Sequence, residues 1–299
     1  MKTKPIAIFG EVLFDHFPDG KKILGGAPFN VAWHLQALGL RPDVMSRVGE
    51  DVQALQIQLM MYSWGMNAAN LQIDSEHPTG HVVVSLDNGE PNYAILDDQA
   101  YDFIAVEDLD LSDSYAIVYH GSLALRHESS EQTLKHILKN HQGKVFVDVN
   151  LRHPWWQAER LDEWLHHADW LKLNRDELRQ LSPESEDITG AMHKMLTHYK
   201  LELLVVTLGS EGAVALTEGG ELVSVRPQAT PLLIDTVGAG DAFTAVLLLG
   251  LYLGWSLSLT MERAQAFASA LVELPGATVQ NIDFYRSFAD SWCLPRTDD

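Results

Sequence analysis

Residues 235–249 read Asp-Thr-Val-Gly-Ala-Gly-Asp-Ala-Phe-Thr-Ala-Val-Leu-Leu-Leu, and their reading decides the fold. A glycine-rich turn runs straight into an apolar helix that continues to Trp255. Gly238 and Gly240 let a ligand approach the backbone closely. The helix start offers unpaired N–H groups and the positive end of a dipole, which together suit an anion. Asp241 falls in the first helical turn, and two readings stay open on spacing alone. It is a dipole partner worth a fraction of a kcal/mol, or a general base beside a reacting phosphate. The apolar stretch Ala242–Trp255 is shorter than the roughly 20 residues of a membrane span, so a buried helix is expected.

A second glycine cluster, Gly25-Gly26-Ala27-Pro28-Phe29-Asn30, opens another helix 210 residues earlier in the chain. Between the clusters the pattern alternates. Tyr115–Tyr119, Lys144–Val149, Trp170–Leu173 and Leu203–Thr207 are short, nearly continuous apolar runs, as expected for strands covered on both faces. Helical candidates Glu131–Asn140, Leu161–His167, Asp176–Leu181 and Ile188–Lys200 separate them. The expectation is an α/β fold with a doubly wound, mostly parallel sheet and helices on both faces. Ala213–Leu216 and Leu222–Val225, joined through Gly219-Gly220, read as an edge hairpin, and Ala239–Trp255 and Leu259–Glu273 as closing helices. Nearer the start, Pro5–Phe14 and Val44–Val48 read as strands and Asn30–Leu38 as a helix stopped by Gly39. Leu71–Asp74, His81–Asp87 and Asn92–Leu96 follow as a small β element, with Asp87-Asn88-Gly89 as its hairpin turn. One domain over 1–299 is expected, with a β-sheet lid drawn from about 11–24 and 71–104.

Composition narrows the function. The 299 residues hold 21 Lys+Arg against 41 Asp+Glu, a net charge of −20. Such a surface repels phosphate backbones, which argues against nucleic-acid binding; an anionic substrate must be held by local dipoles and a few placed cations. The single cysteine, Cys293, allows no intramolecular disulfide and no Cys-based zinc site. The opening run MKTKPIAIFGEVLFD is short and interrupted by Gly10, Glu11 and Asp15, and so reads as a first strand and not a signal peptide. A cytoplasmic protein with no membrane partner is expected. The thirteen histidines contain no H-E-x-x-H, so they read as solvated or structural. Gly238-x-Gly240 is followed by Phe243 where a third glycine would complete a dinucleotide fingerprint, and no G-x-x-x-x-G-K-[ST] occurs. Neither a Rossmann dehydrogenase nor a P-loop ATPase survives.

The two clusters together resemble the two signatures of the ribokinase-like (PfkB) family of ATP-dependent carbohydrate kinases. The first runs Gly25-Gly26-Ala27-Pro28-x-Asn30-x-Ala32, then Gly39 and Gly49; the second is 235–243. The resemblance extends through Gly10-Glu11 with Asp15, Pro78-Thr79-Gly80, Ala100-Tyr101-Asp102, Asp148-x-Asn150-x-Arg152, Asn174-x-x-Glu177, Thr207-x-Gly209-x-x-Gly212 and Gly276-Ala277. Within the family, the first pieces look most like bacterial fructokinases. Two departures stand out. Val246 takes the place of the usual small residue after D-A-F-x-A, and Val52-Gln53-Ala54-Leu55 lacks the glycine often found after Gly49-x-Asp51.

The resemblance implies phosphorylation of a primary sugar hydroxyl, fructose to fructose 6-phosphate first. Ribose, 2-keto-3-deoxygluconate or a nucleoside is the alternative acceptor, and a non-catalytic sugar- or nucleotide-binding regulator the alternative class. Asp241 would take the hydroxyl proton, and the N–H groups of Gly238, Ala239 and Gly240 would hold the transferred phosphate. Asp15, Gly25, Gly26 and Asn30 would meet the sugar. Taken alone, Asp15 reads as a strand-end turn residue and Asn30 as a helix N-cap. Arg152 would clamp a phosphate or sugar oxygen, or else pair with Asp148 or a helix C-terminus. Asn174, Thr207, Gly209, Gly212, Gly276 and Ala277 would line the ATP site. Glu177 would meet Mg²⁺ through water, with a capping-box role alongside. Asp235 would hold a monovalent cation such as K⁺. A homodimer through the lid edges is a further expectation.

Overall fold

The structure, a computed structural model, describes residues 4–87, 90–112, 114–185, 187–227 and 233–294. Asn88 and Gly89 of the expected hairpin turn lie outside the described residues, as do the first three residues of the opening segment. The chain divides into two compact units, Met1–Tyr115 with Ala124–His141 and Gln280–Asp299, and Ala116–Leu123 with Gln142–Val279.

In the first unit the expected opening strand is two. β1 (Ile6–Phe9) and β2 (Leu13–His16) are separated at Gly10, whose φ of 149° no side chain adopts comfortably. A Cβ there would also stand 2.5 Å from Pro28 Cγ. β1, β4 (Asp43–Gly49) and β5 (Leu71–Asp74) run parallel, with Ile8 opposite Val44 and Val48 opposite Ile73. β5 was expected in the small β element. Its short run of alternating residues suits either sheet, and pairing with β4 decides the matter. The separate small sheet has the order β3-β2-β6-β7, using β3 (Lys22–Gly25), β6 (Gly80–Asp87) and β7 (Glu90–Ile95).

Among the described residues this unit's α-helices are α1 (Ala27–Ala37), α2 (Val52–Ser63), α3 (Glu128–Lys139) and α9 (Ile282–Trp292). Sequence periodicity did not indicate α2 or α9. α9 docks through Tyr285, wholly buried, whose hydroxyl shares a 3.0 Å hydrogen bond with His34 Nδ1.

In the second unit β8 (Ile117–His120), β9 (Lys144–Asp148), β10 (Trp170–Asn174) and β11 (Leu203–Thr207) are parallel. β12 (Ala213–Thr217) and β13 (Leu222–Val225) continue antiparallel. Leu203–Val206 are buried without interruption, the pattern of a strand covered on both faces. α4 (Ala158–His167), α5 (Arg175–Leu181) and α6 (Ile188–Tyr199) intervene between the strands. α7 (Ala239–Leu253) and α8 (Leu257–Leu271) pack on each other, close enough at Gly250 that a Cβ would meet Thr260 Oγ1 at 2.5 Å. α7 is buried over Ala242–Gly250 on every side, which is why its sequence carries no polar face. The α/β class, the mostly parallel sheet and the separate small sheet are those expected. Among the described residues no helix is long and apolar enough to cross a membrane.

Candidate active site

The start of α7 is built by its glycines. Gly238 is the N-cap in the left-handed region, at φ 78°, and packs so tightly that a Cβ would lie 2.5 Å from that of Ala277. Gly238 C=O accepts from Ala242 N–H at 2.8 Å, closing the first helical bond. Ala239 N–H reaches Thr236 C=O at a long 3.3 Å, whereas the N–H groups of Gly238 and Gly240 have no acceptor among the described residues. Two open donors therefore stand at the positive end of a 15-residue helix, with half-buried Asp241 one residue on.

Asp235 holds this loop from behind. Its Oδ1 accepts from Val237 N–H at 3.0 Å and its Oδ2 from Gly276 N–H at 2.9 Å, joining the turn to the Gly276-Ala277 segment. Each carboxylate oxygen keeps further lone-pair capacity, so the donor set fits a monovalent cation as well.

Beneath the loop lies a charge that sequence reasoning passed over. Lys172 sits in the middle of β10 and is buried, with its Nζ donating to both oxygens of Asp148 at 2.9 and 3.0 Å. Thr244, on α7, donates its hydroxyl to the same carboxylate at 2.8 Å. Lys172 Nζ is also 3.5 Å from the point that a Cβ on Gly240 would occupy, so the ammonium stands directly behind the open N–H groups. Burial by itself would lower its pKa. The carboxylates of Asp148, Glu177 and Asp241 outweigh that and hold it above the ordinary value, fully charged. The signal was a lone lysine within an apolar strand run, since a charge buried in a strand needs a partner.

This arrangement removes the Asp148 pairing read for Arg152. Asp148 is spoken for by Lys172, and the Arg152 side chain is exposed with no ion-pair partner among the described residues. The reason is position: Asp148 ends β9 pointing into the core, whereas the chain turns outward at Asn150, at φ 42°.

Asn174 and Glu177 form a complete capping box at α5. Asn174 Oδ1 accepts from the N–H groups of Asp176 and Glu177, both at 2.9 Å, and Glu177 Oε2 accepts from Asn174 N–H at 2.7 Å. Glu177 Oε1 accepts from Leu151 N–H at 2.8 Å, tying the turn after β9 to the turn after β10. Burial raises its pKa, opposed by the Asn174 N–H and Lys172. With both oxygens engaged by backbone donors, Glu177 fits Mg²⁺ through an intervening water better than by direct ligation.

Thr207 ends β11. Gly209, at φ 60°, and Gly276, at φ 85°, have open space where a side chain would stand. Gly212 differs: a Cβ there would collide with the Val225 carbonyl, so this glycine shapes the turn against β13. A groove of about 510 Å³ lies beside it, lined in part by Leu208, Ser210, Val214 and Arg226.

In the first unit the other cluster is assembled separately. Asp15 lies inside β2, opposite Ile23 and Val82, which removes its reading as a strand-end turn. Its Oδ2 is 3.5 Å from where a Gly25 Cβ would be. Gly26 is the N-cap of α1, at φ 103°, and a Cβ on it would strike the Glu11 carbonyl at 2.5 Å. Asn30 is a buried residue of the first turn, so its N-cap reading falls as well. His16, beside Asp15, stacks on His81 with ring centroids 4.9 Å apart.

The remaining signature pieces are structural in this unit. Thr79 accepts from Gly49 N–H at 3.0 Å and gives its N–H and hydroxyl to Asp51, at 2.8 and 2.7 Å. Asp102 is wholly buried in a fork with Arg126, at 2.8 and 2.7 Å.

Known proteins resemble this chain over most of its length. The profile described as "pfkB family carbohydrate kinase" matches residues 7–283. The fructokinase of Klebsiella pneumoniae is 33% identical over 82% of this chain and 84% of its own, and that of Salmonella typhimurium 31% over 82% and 83%. Among solved structures, fructokinase from Vibrio cholerae O395 with fructose, ADP and potassium bound superposes with a TM-score of 0.82 at 25% identity, covering 96% of this chain and 98% of that one.

Proposed function

The chain belongs to the pfkB family of carbohydrate kinases, and from that premise we propose that it transfers the γ-phosphoryl group of ATP to fructose, giving fructose 6-phosphate. The observation that carries the reading is the start of α7: two N–H donors without acceptors among the described residues, Asp241 beside them, and the Lys172 ammonium next to Gly240. Phosphoryl transfer asks for positioning and charge stabilisation more than for covalent chemistry. The sugar oxygen attacks the γ-phosphorus as the bond to the ADP oxygen breaks, and the departing oxygen keeps that electron pair. The hydroxyl proton passes to Asp241. Gly238 and Gly240 N–H donate to the phosphoryl oxygens, with the Ala239 N–H joining if its long bond to Thr236 yields. Oriented donors of this kind are worth about 10²–10³ each in rate. Lys172 adds fixed positive charge that a −20 chain otherwise withholds from an anion.

For the sugar, the proposed contacts are Asp15, Gly25, Gly26 and Asn30, whose carboxylate and amide supply acceptors and donors for neighbouring hydroxyls. Arg152, exposed and without an ion-pair partner among the described residues, would hold a phosphate or sugar oxygen. Asn174, Thr207, Gly209, Gly276 and Ala277 would line the nucleotide, with Gly212 setting the turn. Mg²⁺, met by Glu177 through water, would neutralise charge on the β- and γ-phosphates. Asp235 would hold a monovalent cation, as bound to the Vibrio protein. The choice of fructose rests on the relatives named fructokinase.

The test is ATP consumption with Mg²⁺ against fructose, ribose, 2-keto-3-deoxygluconate, glucose and adenosine. Turnover is expected with fructose, falling about 10²–10⁴-fold in Asp241→Asn with the fold retained. Preference for another acceptor would reassign the substrate and keep the chemistry. Nucleotide binding without turnover of any acceptor would refute the kinase reading.

A further inference from the structure

The strands of the small sheet meet at their roots in one buried stack. β2 starts after Val12, β3 ends at Gly25, β6 starts at Gly80 and β7 ends at Ile95. Two glycines touch the backbone of Glu11 and Val12. A Cβ on Gly26 would stand 2.5 Å from the Glu11 carbonyl oxygen and 3.2 Å from Val12 Cα, and one on Gly80 would stand 2.9 Å from the Val12 carbonyl oxygen. The Gly80 position is also 2.6 Å from Tyr101 Cε1, so the wholly buried Tyr101 ring closes the stack. Arg126 locks it. Its Nη2 donates to the Leu96 carbonyl, one residue past β7, and to the Tyr101 hydroxyl at 3.3 Å. Nε and Nη2 together fork onto the two oxygens of Asp102, at 2.8 and 2.7 Å.

We propose that Arg126, acting through Tyr101 and the strand roots, is a positioning residue for the acceptor sugar: it sets where Asp15 stands against Gly25, Gly26 and Asn30. The inference rests on the reading of Asp15 as a sugar contact. The path between them is short. Leu13 pairs with both Gly25 and Gly80, and Asp15 lies two residues further along β2, on the same face. Its Oδ2 is 3.5 Å from where a Gly25 Cβ would be, so a shift at the roots moves the carboxylate against the start of α1. A buried ion pair adds little stability over an apolar pair of the same volume. What the Arg126 fork supplies is orientation, because a planar guanidinium meets a carboxylate bidentately in one plane. An ammonium would match the charge of Asp102 without fixing that plane.

Arg126→Lys is therefore the test, since it keeps the counter-charge of Asp102 and removes the fork. The sugar KM is expected to rise about 10-fold or more, the worth of a charge-assisted hydrogen bond held out of place. The ATP KM should stay unchanged, and kcat should fall by less than the sugar KM rises. Tyr101→Phe keeps the ring against Gly80 and drops the Arg126 contact; it should move the sugar KM the same way, by about 2–10-fold. In an Asp15→Ala background Arg126→Lys should raise the sugar KM no further, because the group being positioned is gone. Amide exchange gives a readout besides activity: peptides over residues 78–82 and 96–102 should exchange faster in Arg126→Lys, with β9–β11 unaltered. Thermal melts report that the variants fold. Equal rises in the sugar and ATP KM values, an additive effect in the Asp15→Ala background, or unchanged exchange at the roots would overturn the proposal. An Asp15→Ala variant that itself leaves the sugar KM unaltered would remove the sugar contact, and the positioning role with it. That result is distinct from a failure of Arg126→Lys in a chain where Asp15→Ala does weaken the sugar.

Discussion

Lys172→Met replaces a buried ammonium with an apolar side chain of similar length and leaves Asp148, 2% exposed, with the Thr244 hydroxyl as its remaining side-chain donor. Breaking a buried pair in this way costs about 3–5 kcal/mol, because the surviving charge is uncompensated. Wild-type Lys172, with its pKa raised, is charged at neutral pH. Urea unfolding at neutral pH should show that destabilisation in full. Lys172→Met/Asp148→Asn should recover most of the stability, since a neutral amide needs no counter-charge. It should not recover turnover, which is expected to stay about 10²-fold low because the positive charge beside Gly240 is still missing. A loss below about 1 kcal/mol, or one that the double variant fails to recover, would refute the assignment of Lys172 as the charge partner of Asp148.

Other substitutions probe the remaining parts. Gly238→Ala forces a left-handed φ of 78° on a residue with a Cβ and drives that atom to 2.5 Å from Ala277 Cβ; stability should fall by at least about 1–2 kcal/mol, with turnover falling further than the sugar KM rises, by thermal melts and steady-state kinetics. His120 is buried, its Nδ1–H donating to the Gly121 carbonyl at 2.9 Å, and burial pushes its pKa down to about 4. The unfolded chain then binds a proton that the folded state refuses, so stability should drop by about 3 kcal/mol as pH falls from 6.5 through 4. His120→Leu should flatten that limb in a pH series of urea melts, and an unchanged slope would show that other groups drive it.

Much of the second unit was legible because its signals are local. Leu203–Thr207 matches β11 residue for residue, since a strand covered on both faces must be apolar throughout. The start of α7 was legible because Gly238 announces a left-handed backbone, at φ 78°, that favours glycine. Helix α2 was not, since its outward residues Val52, Leu55, Leu59 and Tyr62 are as apolar as its inward ones and erase the contrast that marks an amphipathic helix. Asn30 and Asp15 had bland local readings that depended on where α1 and β2 begin and end, by margins of two or three residues.

What the sequence by itself determined, then, is the order of strands and helices, the glycine turns and the family signatures, all set by backbone preference and burial within a few neighbouring residues. What only the tertiary structure decided is which partner each buried charge takes. Asp148 could have paired with Arg152, four residues away, but it is joined to Lys172 and to Thr244, 96 residues on. Parallel pairing of β9 with β10 and the packing of α7 bring those groups together, and a buried carboxylate takes the donors that reach it in the core, however distant in the chain.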